Sequence, residues 1–193
     1  MSDDAATPPG PAERSGPERI RALAHPVRLE ILDILDRLGE ATATECAQRT
    51  GQTVANCSFH LRTLAKYGFV EEAERRGRQR PWRPAPGGYD LRPDVGSSDA
   101  VRAADELALL TLERETRRLH AYYAHAHATP ARWREAASML TEVVWATPGE
   151  LAELADDVAA RVARLARRAP ADRPAGARPA NVLAVLTPDP HAD

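Results

Sequence analysis

The chain has 193 residues, with 26 Lys+Arg against 28 Asp+Glu and a formal net charge of -2. That size allows one domain plus an appendage or two small domains, and the bulk charge argues neither for nor against a polyanionic partner. Two cysteines make no disulfide framework, no apolar run reaches the ~20 residues that span a bilayer, and the acidic, proline-rich start lacks the order of a secretory signal; a soluble, reduced, cytoplasmic protein with no membrane partner is expected.

The distribution of charge is more informative than its sum. Between Arg19 and Arg92 there are 13 Lys+Arg against 9 Asp+Glu, whereas residues 1–18 carry 1 against 4 and residues 93–193 carry 12 against 15. A basic segment between acidic flanks is the asymmetry of a DNA-binding domain. Residues 1–16, MSDDAATPPGPAERSG, are predicted as a disordered tail.

Pro17 suits the first turn of a short helix, PERIRALA, which should end at His25 because Pro26 follows. Pro26 opens PVRLEILDILDRLG, where Val27, Ile31, Ile34, Leu35 and Leu38 form an apolar stripe and Gly39 stops the helix. Residues 41–43 suggest a short strand, and Thr44 is the expected cap of the next helix.

The stretch from Thr44 to Arg83 reads as a helix, a glycine turn, a second helix and a basic hairpin. Ala47 permits close helix approach, Gly51 supplies the positive φ that ends the first helix, and Thr53 caps the second. Cys57, Leu61 and Leu64 share one buried face at spacings of four and three. The residues left facing outward are candidates for reading a DNA groove: Gln52, Thr53, Val54, Asn56, Ser58, Phe59, Arg62 and Lys66. Asn56 can read adenine bidentately, Arg62 can reach guanine or a phosphate, and Val54 or Phe59 can touch a thymine methyl. Phe59 has a second reading, packing under the hairpin, and His60 reads as a partly buried, hydrogen-bonded packing residue.

Residues 69–84 are predicted as a two-stranded hairpin with Gly77 near its tip and prolines on an exposed edge. Arg75, Arg76, Arg78 and Arg80 crowd that tip and would enter a minor groove or clamp phosphates, adding affinity more than specificity. Helix-turn-helix plus basic hairpin makes residues 17–92 a winged helix-turn-helix DNA-binding domain. A Pro-, Gly- and Ser-rich connector occupies 84–98.

A long helix is predicted from Asp99 to Ala126, within a segment 93–128. Leu109, Leu112, Thr116, Leu119, Tyr123 and Ala126 recur every three or four residues, the seam of a dimerisation helix. The other reading is an ordinary core helix of a monomer. Residues 129–193 are predicted as a small α/β appendage. Residues 139–145 and 182–186 read as strands, and Thr147-Pro148-Gly149-Glu150 is a capping box opening a helix with Leu151, Leu154, Val158, Val162 and Leu165 on one face. The fold class expected is mainly α with a small β-wing, a long dimerisation helix and this appendage.

A metal site has little support. Cys46 stands alone on its helix, Cys57 lies on a buried face, and His120, His125 and His127 lack a completing acid. No cofactor is expected; a small-molecule effector of unknown identity is left open, with Tyr122, Tyr123, Trp133 and Trp145 as either pocket lining or core. Without a Gly-rich phosphate loop, a nucleophile elbow or a His-Glu zinc motif, no enzymatic activity is expected.

The segments LAHPVRLEILDIL, TECAQRTG, SFHLRTLAKYGFVEE and RRGRQRPWR together resemble the ArsR-type winged-helix regulators of bacteria, over about Glu18 to Pro84. The C-terminal WREAA, TPGELAEL and NVLAVL segments resemble a subgroup with an extra C-terminal region. The resemblance implies a homodimeric regulator of transcription that binds double-stranded DNA, commonly a repressor. The rival expectation is a winged-helix protein-interaction module without sequence-specific DNA binding.

Overall fold

Prolines and glycines set the first helix boundaries. The computed structural model of the chain describes residues 15–75, 77, 79–86, 92–166, 168 and 170–190; residues 1–14 of the expected tail at 1–16 and residues 87–91 of the expected connector at 84–98 lie outside them. Helix α1 (Pro17–Arg21) and α2 (Pro26–Leu38) each begin with Pro at the first turn, and Gly39 ends α2 at φ 84°. Ser15 is not part of a loose tail: it is buried, and its N–H donates to Arg92 O at 2.9 Å.

Helix α3 (Ala43–Thr50) and α4 (Val54–Lys66) follow, then β1 (Val70–Glu72), β2 (Trp82–Pro84) and the long α5 (Ser98–Ala124). After a 3-10 turn at Ala126–Ala128 come α6 (Ala131–Glu135), α7 (Pro148–Ala166) and a second 3-10 turn at Pro170–Asp172. The chain is mainly helical with a two-stranded antiparallel wing. It divides into two units, Met1–Arg114 and Glu115–Asp193.

The first unit has a core. Leu29, Ile31, Leu32, Leu35, Cys46, Ala47, Cys57, Leu61, Leu64, Phe69 and Val70 are buried together, and each of the larger side chains contributes about 1.5–3 kcal/mol by leaving water. A smaller cluster joins Ile20 of α1 to Ala100 and Ala103 of α5. The stripe predicted on α2 is rotated: Leu29 and Leu32 are buried, Val27 and Ile34 only partly, and Leu38 is exposed. α2 packs on α3, α4 and β2, so neighbours on several sides use a wider face than one stripe.

The wing pairs Val70 with Pro84, Glu71 with Arg83 and Glu72 with Trp82. Residue 41 forms no strand with its neighbours. Instead Ala41 exchanges two backbone hydrogen bonds with Trp82, at 2.8 and 2.9 Å. β2 is therefore flanked on both sides near Trp82. The expectation of prolines on an exposed edge fails for Pro81, which is fully buried while its carbonyl accepts from Ala73 N–H at 2.8 Å.

The second unit departs further from expectation. Residues 139–145 and 182–186 form no strands, so among the described residues the predicted α/β appendage is helix, turn and irregular chain. Strand propensity in these runs supplies side chains for a sheet but not the neighbouring backbone that a strand requires. The predicted capping box is present: Thr147 Oγ1 accepts from Glu150 N–H at 3.3 Å, and Glu150 accepts from Thr147 N–H at 2.8 Å.

Candidate nucleic-acid interface

Local chemistry fixes the helix-turn-helix before packing acts on it. Thr42, rather than Thr44, caps α3: its Oγ1 accepts from Glu45 N–H at 3.2 Å, and Glu45 accepts from Thr42 N–H at 2.7 Å. Two residues earlier than predicted, this start lets Glu45 fall at the third helical position and close the box. Gly51 sits at φ 69° in the left-handed region. Thr53 caps α4, its hydroxyl accepting from Asn56 N–H at 3.1 Å. The turn is also tied to the core, since Thr50 Oγ1 donates to Cys46 O at 2.9 Å and lies 3.6 Å from Cys57 Sγ.

With Cys57, Leu61 and Leu64 buried, the rest of α4 is presented outward. Gln52, Thr53, Val54, Phe59, Arg62 and Lys66 are exposed, and Asn56 and Ser58 are half-buried. Asn56 Nδ2 donates to Gln52 Oε1 at 2.8 Å, a pair of amides locked side by side at the helix start. Phe59 is 56% exposed and stands edge-on to His60 at 5.4 Å, so it is not buried under the wing. The eight groove-facing candidates on and just before α4 thus lie on one continuous stretch, polar apart from Val54 and Phe59.

His60 is buried at 4% exposure, as expected of a packing residue, but its Nδ1 has no hydrogen-bond partner. Its ring lies 4.5 Å from that of His25, whose own Nδ1 accepts from Val27 N–H at 3.2 Å and so caps α2. Burial pushes the pKa of both imidazoles down. The Arg28 charge acts in the same direction on both, and His25 adds to it at His60. Burial likewise pushes the Cys46 thiol up to about 12, with Cys57 and Glu45 reinforcing it; that thiol keeps its proton at neutral pH.

On the wing, Arg80 is hydrogen-bonded to Glu72, and Arg83 meets Glu71 at 2.7 Å. The predicted basic tip is therefore partly neutralised by acids on the facing strand. Arg75 is exposed; Arg76 and Arg78 lie outside the described residues. Gly77, at φ 62°, sits at the tip as expected.

One feature beside α4 escaped sequence reasoning. Arg21, Arg28 and Lys66 line a shallow depression of about 400 Å³ with Glu18, Thr63 and Tyr67, a basic margin assembled from three helices. Only the pooled excess of arginine in residues 19–92 hinted at it. The four dimerisation candidates lie on α5 and are exposed, with Leu109 at 69% and Leu112, Leu119 and Tyr123 less so. Among the described residues, no three His, Cys, Asp or Glu side chains gather in a geometry that could hold a metal ion, and no helix is long and apolar enough to cross a membrane.

Residues 23–73 match the family model of a helix-turn-helix domain. Among solved structures, the chain is similar to the homodimeric winged helix-turn-helix DNA-binding domain of a possible ArsR-family transcriptional regulator from Mycobacterium bovis. The identity is 30%, over 50% of this chain and 76% of that one, at a TM-score of 0.33. A crystal structure of a possible transcriptional regulatory protein from the same organism matches at 30% identity over 50% of this chain and 88% of that one, also at 0.33. The transcriptional repressor BigR from Xylella fastidiosa matches at 26% identity over 48% and 79%, at 0.32. No curated protein matches the chain.

Proposed function

The chain belongs to the ArsR-type winged helix-turn-helix family through its N-terminal half, and from that premise we propose that it is a cytoplasmic regulator of transcription that reads double-stranded DNA as a homodimer, acting as a repressor at an inverted-repeat operator. The observation that carries this reading is the outward face of α4. Its opposite face is buried, its start is fixed by the Thr53 cap and the Gln52–Asn56 pair, and Arg62 and Lys66 continue the same exposed side. A helix capped at its start, buried on one face and largely polar on the other suits insertion in a major groove.

In this reading Asn56 and Arg62 discriminate bases, while Arg75, Arg76, Arg78 and Arg80 contact the backbone beside the groove. The α5 seam of Leu109, Leu112, Leu119 and Tyr123 joins two copies. Two recognition helices on a two-fold axis read half-sites about 34 Å apart. The Mycobacterium bovis domain is described as homodimeric, which supports the dimer. An effector that alters the spacing would regulate binding; its identity is open.

One observation favours the rival interaction module: the Glu71–Arg83 and Glu72–Arg80 pairs dilute the positive field of the wing. The experiment is a fluorescence-anisotropy titration against DNA from upstream of the protein's own gene and a scrambled control, at low and near-physiological salt. Preference for the first DNA that persists at higher salt is the expected outcome. Absence of binding to either at low salt would favour the interaction module.

A further inference from the structure

Among the described residues of 115–190 there are helices but no buried apolar residue. The one residue among them that is buried is Glu115. α7, 19 residues long, buries none of its side chains. Leu154 and Leu165 are about half exposed, and the preceding segment exposes Met139, Leu140, Val143, Val144 and Trp145, the last at 99%. In proteins an amphipathic helix gains most of its stability from whatever covers its apolar face.

The sequence of α7 specifies the cover. Its apolar residues, Leu151, Leu154, Val158, Val162 and Leu165, are spaced by three, four, four and three, an order that reads the same in both directions about Val158. Its charges do not read the same in both directions: Glu153 and Asp157 precede Val158, and Arg161 and Arg164 follow it. Two copies laid antiparallel therefore place Leu151 of one against Leu165 of the other, Leu154 against Val162, and Val158 against itself. The same arrangement sets Glu153 near Arg164 and Asp157 near Arg161 across the junction. A parallel arrangement would set acid against acid and arginine against arginine, which costs free energy.

We propose that α7 is a docking surface for a second copy of this chain, the two helices packing antiparallel about a two-fold axis at Val158. The pairing is isologous, each apolar row serving as both ridge and groove. It is separate from the seam on α5 and does not depend on the DNA-binding reading.

Disulfide trapping in the full chain tests it. At a two-fold axis a single substitution brings its own Cβ within bridging distance of its copy, and Cys46 and Cys57 are buried and so do not compete. Mild oxidation of the Val158→Cys chain should give a covalent dimer, whereas Ala160→Cys, on the opposite side of the helix, should react at least ~10-fold more slowly. Adding Glu153→Arg to Val158→Cys should slow trapping roughly 10-fold, and adding Arg164→Glu as well should restore it. Equal trapping at 158 and 160, no trapping at either, or indifference to the charge exchange would overturn the proposal. Specific DNA binding that persists in such a case would leave the proposed function standing, which keeps the two failures apart.

Discussion

The chain writes the same helix start twice. Thr42 and Glu45 open α3, Thr147 and Glu150 open α7, and the reciprocal hydrogen bonds of the two boxes agree within 0.1 Å, at 2.7 and 3.2 Å against 2.8 and 3.3 Å. At the second box, hydrogen bonds from the Thr147 N–H and hydroxyl hold the Glu150 carboxyl below its ordinary pKa. Yet α3 is set in a core with Cys46 and Ala47 buried, and α7 buries nothing. A cap decides where a helix begins; burial decides whether that helix is worth several kcal/mol to the fold. The lesson extends to function, because only a helix held by a core can present side chains to DNA at fixed positions.

The sharpest way to break this comparison is to remove matched leucines. Leu61→Ala should cost about 2–5 kcal/mol, since the residue is fully buried and leaves a cavity. Leu154→Ala, half exposed in α7, should stay within about 0.5 kcal/mol in dilute, monomeric chain. Urea denaturation of both variants measures the gap; a gap that narrows as the chain concentration rises would show α7 gaining its cover from another copy. Equal losses at high dilution would mean that α7 is buried after all.

DNA contact offers the next largest contrast. Arg62→Ala should lose about 1–3 kcal/mol of discrimination between operator and random DNA. Arg75→Ala should instead weaken both DNAs alike and lower the salt slope by about 1. Anisotropy titrations at several salt concentrations separate the two, and equal losses of affinity on both DNAs for both variants would sink the division between base reading and backbone contact.

Smaller effects sharpen the comparison of caps. Thr42→Ala should destabilise the N-terminal unit by about 1 kcal/mol. Thr147→Ala should leave that unit's unfolding midpoint where it was and reduce helicity by circular dichroism. A shift of the midpoint by Thr147→Ala would show that the α7 cap contributes to the stability of the N-terminal unit.

The mildest lever is pH. His25 and His60 both titrate below the ordinary histidine value of 6.5 in the folded chain. Between the folded and unfolded pKa values the unfolded chain binds more protons, so stability should be full above pH 6.5 and fall as the pH drops below it. The loss should level off once the pH passes the folded values. His60→Gln in a His25→Gln background should flatten this limb in pH-dependent urea melts; an unchanged slope would assign it to carboxylates.

Backbone chemistry at single residues was legible in the sequence. Proline starts, the left-handed Gly51, the Thr53 cap, the α7 capping box and the spacing of Cys57, Leu61 and Leu64 all depend on neighbours a few positions away, and each appears in the fold. The outward face of α4 followed from them. The α3 cap was misplaced because Thr42 and Thr44 are both competent caps, and only the Glu45 side chain chooses between them. Tertiary structure alone decided the rest: that Leu29 and Leu32 are covered while Leu38 is not, that Pro81 is buried, that the His25 ring lies tilted against His60, that acids across the wing answer Arg80 and Arg83, and that two apolar runs near the C-terminus form no strands. Each of these depends on a partner distant in sequence, and a residue's own propensity carries no information about whether that partner arrives.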